Sequence, residues 1–234
     1  MNRRGFLATS SVLAASGTAA AAQGIPGGTH LVERRSDFDA ASFGRVLGRP
    51  ARIAQLYEAV VFRPAVLSSV KNSFNGLQFG FGYAPGDIAI ALAAHGPSAV
   101  YGYNDEIWAR YRLGEFFKLT DSAGAPIDSN TFVRKRAQID AAADPDDPMG
   151  MYQDSSIEML QHRGLVVLTC HTAVEEQART LVKGGAAPAG ATATDVADDI
   201  LTHLIPGAVV VPSMVATIAV LQAEYRYVYL APEL

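Results

Sequence analysis

Five short apolar-rich runs punctuate this chain, and between most of them apolar positions recur at helical spacing. The runs are Ile53 to Val60, Ile88 to Ala94, Leu165 to Leu168, Ala208 to Val211 and Tyr225 to Leu230. Runs this short, closed by turn residues such as His95-Gly96-Pro97, predict buried strands. After the first run, Pro64 suits the opening turn of a helix, and Val66, Leu67, Val70, Phe74 and Leu77 continue it at helical spacing. Gly80, Gly82, Pro85 and Gly86 then break the pattern. Further helices are predicted from Ser98 to about Arg112, from a Ser155-x-x-Glu158 capping box to Arg163-Gly164, and from a Thr172-x-x-Glu175 capping box to about Lys183. Two more follow, Asp195 to Leu204 and a helix capped by Ser213 that runs through Ile218 and Leu221. Strands alternating with helices predict an α/β fold: a single doubly wound, mostly parallel five-stranded sheet with helices on both faces.

Three segments stand outside that rhythm. Residues 1–22 read as an export signal. Arg3-Arg4-Gly5-Phe6-Leu7 matches the twin-arginine type, an alanine-rich apolar stretch follows, and Ala20-Ala21-Ala22 suggests cleavage after Ala22. The apolar stretch is too short and too weak for a membrane anchor. Residues 23–50 read as an arm or linker with one short helix around Asp39 to Val46 and a solvated His30. Residues 113–154 read as an insertion in the domain spanning 51–234. This insertion contains the turn Asp121 to Pro126, a solvated Arg134-Lys135-Arg136 and the acidic loop Asp144-Pro145-Asp146-Asp147-Pro148. Its aromatics, Phe116, Phe117, Phe132 and Tyr152, suggest packing on a neighbouring subunit or on the domain itself.

Composition narrows the partners. Apolar residues make up 49% of the chain, which suits a globular protein, and the net charge is −4 with no long basic run, so nucleic acid is excluded as a partner. An exported chain of this kind is expected in the periplasm, an oxidising compartment. The chain has one cysteine, Cys170. It has no internal disulfide partner and must stay free, pair with another chain or carry a modification.

Cys170 falls at the carboxyl end of a predicted strand, just before a predicted helix start. Parallel sheets bind ligands beyond their strand carboxyl ends, and a helix dipole there favours an anion and can lower a thiol pKa. The competing reading of Cys170 is a small buried hydrophobe. His95, His171, Glu58 and Ser213 also fall at or near predicted strand ends. His95 and His171 are candidates to stabilise a thiolate or move a proton, and Glu58 and Ser213 are candidates for substrate binding. Strand order, and hence their grouping, is not readable from sequence. The chain carries no Gly-x-Gly-x-x-Gly, P-loop or Gly-x-Ser-x-Gly, so no cofactor is implied.

Ile90 to Gly96 resembles the strand-then-His-Gly element of DsrE/DsrF-like proteins, and Arg163 to Cys170 resembles their Gly-strand-Cys element. Pro206 to Pro212 with Leu221-Gln222 resembles their closing strand and next helix, and Asn72 and Asn75 match an Asn-x-x-Asn stretch of their first helix. The resemblance covers about Arg52 to Leu230 apart from 113–154, and departs where Ala223-Glu224-Tyr225 stands in place of a common Gly-Tyr. It implies a sulfur carrier or sulfurtransferase holding a persulfide on Cys170, which would serve small sulfur species or a sulfur-relay partner protein. It also implies a homo-oligomer, trimer or hexamer. Two readings compete: a non-catalytic oligomeric or ligand-binding protein of the same fold, and a metal site built from His95, Cys170 and His171, which lacks the usual ligand spacing.

Overall fold

A computed structural model describes residues 31–133, 139–140 and 143–232. The export signal with its Ala22 cleavage site, His30 and the Arg134-Lys135-Arg136 run lie outside the described residues. Five strands, β1 Ile53–Ala59, β2 Ile88–Ala94, β3 Leu165–Cys170, β4 Val209–Val211 and β5 Val228–Leu230, form one sheet in the order β4-β3-β2-β1-β5. Every pairing is parallel. Four strands lie within the runs that predict them, and β3 extends its own run to Cys170. β5 is shorter than expected, because Arg226 takes a left-handed backbone (φ 62°) and Tyr227 turns inward to donate to the Leu47 carbonyl at 3.1 Å.

Side chains alternate strictly across the sheet, as strand geometry requires. Leu56, Ala89, Ala91, Ala93, Leu168, Cys170 and Val211 face one core. Tyr57, Ala59, Ile88, Ile90, Leu92, Ala94, Leu165 and Val167 face the other. The first core is covered by α1 Ala40–Leu47, α3 Asp105–Arg110, α6 His171–Lys183, α7 Ala193–Thr202 and α8 Met214–Ala223. The second is covered by α2 Ala65–Asn75 and α5 Ile157–His162. β2 is buried along its whole length, as a central strand covered on both faces must be.

The helix expected over Ser98 to Arg112 is instead three pieces. A 3-10 segment, Gly96–Gly102, is followed by α3, which Asn104 caps by accepting from Ile107 N at 3.1 Å. Arg112 then takes φ 48°, which stops α3 from running into α4 Leu113–Phe116. Gly102 explains why the 3-10 segment lies so close to the sheet: a Cβ there would stand 2.3 Å from Thr169 Oγ1 on β3. Helix starts also shift from their predicted caps. Ser156, not Ser155, caps α5 by accepting from Met159 N at 3.4 Å. Thr172 sits inside α6 rather than ahead of it, and its hydroxyl donates to the Pro212 carbonyl at 3.0 Å. Ser213 stands at the N-cap of α8 without a capping side-chain bond. Thr192 and Asp195 form the one reciprocal capping box among the described helices, ahead of α7.

The 113–154 segment packs on its own domain. Asn130, 2% exposed, donates to the carbonyls of Tyr101 (3.1 Å) and Tyr103 (2.8 Å). Phe132 meets the rings of Phe62 and Tyr101 edge-on, at 5.1 and 5.2 Å. The acidic loop is folded by its own aspartates, with Asp144 Oδ1 accepting from Asp146 N and Asp147 Oδ1 from Met149 N, both at 2.9 Å.

Candidate functional site

Strand order settles which candidate residues are neighbours. The carboxyl ends of β4, β3, β2 and β1 lie side by side, and they carry, in that order, Ser213, Cys170, His95 and Glu58. Ala94 pairs with Thr169, so His95 and Cys170 come next in line on adjacent strands, about 5 Å apart in the hydrogen-bonding direction. Alternation places Cys170, His95 and Glu58 on one face, the face that holds Leu168 and Ala93. After His95 the chain turns through Gly96 at φ 54°, a left-handed conformation that glycine adopts without cost. Gln177 of α6 then secures that turn. Its Nε2 donates to the Gly96 carbonyl at 2.5 Å, while its Oε1 accepts from the buried Tyr103 hydroxyl at 2.6 Å.

Two polar clusters form along this row. In the first, His95 Nε2 lies 2.8 Å from Glu58 Oε1, and Tyr229 on the edge strand donates its hydroxyl to Glu58 Oε2. The Glu58 and His95 side chains are 17% and 16% exposed, so the pair is shielded yet reachable from solvent. The bond it donates to Glu58 raises the Tyr229 pKa above its usual value. A carboxylate that holds one ring nitrogen fixes the imidazole's orientation and tautomer and leaves Nδ1 for other partners.

The second cluster surrounds Cys170. It is a free cysteine, 4% exposed, the last residue of β3 and the N-cap of α6. Its Sγ accepts the Met214 backbone N–H at 3.3 Å, from the first turn of α8. The sulfur therefore meets the starts of two helices, where unspent amide donors favour negative charge. Tyr103 lies nearby, and its pKa is pushed well up, first by burial and then by the charge of Cys170.

The remaining candidates sit differently. His171 opens α6 and turns away from Cys170 toward Glu175, with Nε2 3.9 Å from Glu175 Oε1 and both residues buried. They line a cavity of about 460 Å³ together with Glu33, Asp37 and Asp198. There the Glu33 pKa is raised by burial and by Asp37. Ser213 is half-buried beside a cavity of about 130 Å³ lined by Phe38, Phe43 and Val220. Its carbonyl accepts from Thr217 Oγ1 at 2.8 Å. Its contribution to the row is to place Met214 N against the sulfur. The metal reading loses its ligand set: among the described residues no three His, Cys, Asp or Glu side chains converge on a metal position. Adjacent residues point apart, Cys170 onto the sheet face and His171 toward α6's own Glu175.

Sequence reasoning missed Tyr229 and Gln177, which tie the row together. Tyr229 stands in an alternating aromatic strand, a visible signal, but only the β1–β5 pairing shows that it reaches Glu58. Among the described residues no helix is long and apolar enough to cross a membrane. Comparison with models of known families, with curated proteins and with solved structures yields no match to this chain.

Proposed function

We propose that this chain is an exported, periplasmic sulfur carrier or sulfurtransferase that holds a persulfide on Cys170, in keeping with its resemblance to DsrE/DsrF-like proteins. The observation that carries this reading is the Met214 N–H aimed at Sγ where α6 and α8 begin. Charge-assisted hydrogen bonds to an anion are stronger than those to a neutral group, so this amide suits a persulfide anion held on Cys170. In the loading step the Cys170 thiolate attacks a sulfane sulfur of an inorganic polysulfide or of a partner's persulfide. A new S–S bond forms to Sγ, the donor's S–S bond breaks, and its electron pair leaves on the shortened donor. His95, one strand over and on the same face, is the assigned acceptor of the thiol proton through Nδ1, with Glu58 holding its ring. His171 has no assigned part in the step, because its ring is directed to Glu175. The homo-oligomer that the resemblance implies is supported by the outward face of α8, where Val215, Ala216, Ala219 and Val220 are exposed and no charged residue occurs.

One observation favours a second reading. Cys170 is buried within the larger apolar core, as a structural thiol is. The protein would then be a non-catalytic oligomeric or ligand-binding member of the same fold.

Intact mass spectrometry after exposure to polysulfide separates the two. The carrier gains one sulfur atom, reductant removes it, and Cys170→Ser gains none. No gain in the folded wild-type protein, or the same gain in Cys170→Ser, overturns the proposal.

A further inference from the structure

The opposite end of the sheet holds a charged group without a hydrogen-bond partner at its terminal nitrogens among the described residues. Arg163 closes α5 and immediately precedes the turn into β3. Both of its Nη nitrogens are fully buried, and among the described residues neither has a hydrogen-bond partner. What surrounds the guanidinium is aromatic: it lies over the Phe74 ring at 5.0 Å and the Tyr152 ring at 5.2 Å. Rings attract a cation, but they offer no lone pair to its N–H groups. The Tyr152 side is held in place from α2, since Asn75 Nδ2 donates to the Tyr152 carbonyl at 2.8 Å. Burial pulls the Arg163 pKa down to about 10. That value still leaves the group protonated at neutral pH, so a full positive charge sits unneutralised beneath the surface.

Beside it is a cavity of about 160 Å³, lined by Arg163, His162, Gln78, Tyr152, Phe74 and Ile88 among others. Among the described residues no carboxylate lines it, while one cation and one imidazole do. Arg110 shows what a satisfied arginine looks like in this fold: its Nη1 bonds Asp199 and its Nη2 lies 3.5 Å from Glu106. Buried donors are nearly always satisfied in native proteins, and a buried charge without a counterion is costly. Several groups compatible with an anion therefore surround a charge that has none.

We propose that this cavity is a binding site for a small anion, a carboxylate or an inorganic oxyanion, held by the Arg163 fork with His162 and Gln78 at its rim. A guanidinium presents paired N–H donors that match two oxygens of one anion. The cavity's volume admits a group of a few heavy atoms and excludes a nucleotide. Its place is at the amino ends of the strands, where Ile88 starts β2 and Leu165 starts β3. Cys170 lies at the far end of β3, about 17 to 20 Å away along the strand. The anion site is thus separate from the thiol and stands whether or not Cys170 carries sulfur.

Calorimetric titration of the full chain with sodium acetate, sulfate and phosphate, each against sodium chloride at equal ionic strength, tests this. At least one of the three binds saturably and raises Tm with its logarithmic concentration. Arg163→Met weakens that binding by about tenfold or more, the value of lost charge-assisted bonds. Arg163→Lys keeps the charge but not the fork and weakens it severalfold, which gives a second reading if the Met variant does not fold. Polysulfide loading of Cys170 is unchanged in either variant. The proposal is overturned if none of the three anions binds more tightly than chloride, or if both variants bind as the wild type does.

Discussion

The two ends of this sheet handle polar groups in opposite ways. At the carboxyl end each of the main candidate groups has found a partner inside the protein. Glu58 accepts from His95 and Tyr229, Gln177 joins Tyr103 to the Gly96 carbonyl, and the Cys170 sulfur takes the Met214 amide. At the amino end Arg163 is half-buried, with its two terminal nitrogens enclosed and, among the described residues, unbonded. A satisfied row is preorganised: its geometry is held before any substrate arrives, and chemistry there has little reorganisation to do. An unsatisfied charge is the reverse, because the protein alone leaves part of the site's free energy unrealised and a ligand supplies it.

The sharpest way to break this contrast is Phe74→Ala. Phe74 is 2% exposed and belongs both to the second core and to the ring pair on Arg163. Its loss lowers stability by about 3–5 kcal/mol, measured by urea unfolding, and opens the guanidinium to water. A loss under about 1 kcal/mol would mean that the ring is not part of the packed wall around Arg163. The counterpart at the other end is smaller. Glu58→Ala removes the acceptor shared by His95 and Tyr229, and because both side chains of the Glu58–His95 pair keep some exposure the loss is about 1 kcal/mol in the same measurement. Equal stability of Glu58→Ala and the wild type would show that the row is held by its strands alone.

The smallest effect distinguishes paired from unpaired arginines. Burial tends to raise the Asp199 pKa, but the bonds from Arg110 and Tyr111 outweigh it and hold the carboxyl below its ordinary 3.8. A lowered folded value means that the contribution is complete above the unfolded value and is lost as pH falls through the folded one. The pair is partly exposed, so the effect is under about 1 kcal/mol. Asp199→Asn therefore flattens the stability curve below about pH 4 and loses the same increment at pH 7. Arg163→Met leaves that acid limb unchanged, since among the described residues no carboxylate pairs with Arg163. A matching change in both variants would show that Arg163 has an acidic partner after all.

Much of the framework was legible because its signals are local. β2 and β3 are near-continuous apolar runs, and a strand buried on both faces must be one. α2 could be traced from Val66 to Phe74 because its buried face repeats at helical spacing. Local reading failed where two local signals compete. The stretch from Ser98 to Arg112 has helical residues throughout, but Gly102 lies against Thr169 and Asn104 offers a cap, so the chain breaks there. Asn104 was a usable signal, since asparagine ahead of acidic residues marks a helix start. Thr172 and Ser155 misled for the converse reason: a capping residue type adjacent to the true start looks the same in sequence. The candidate row was half legible. Strand ends named Cys170, His95 and Glu58, but only strand order made them neighbours. In sequence Arg163 is simply the end of a helix, because the enclosure of its guanidinium is created by Phe74 and Tyr152, which reach it from other parts of the chain.

A lone, interior thiol has one more consequence. Any sulfhydryl-directed label added to this protein reports on a single atom, with no background from other sites. Sγ is all but covered where β3 ends and α8 begins, so a label bulkier than a small sulfur species must wait for that junction to part. Labelling under conditions where reaction outpaces closure is then a clock for the opening, and under slow labelling it is a gauge of how often the junction stands open. Evolution or accident has left the molecule with its own calibrated probe at the point where its strands and helices converge.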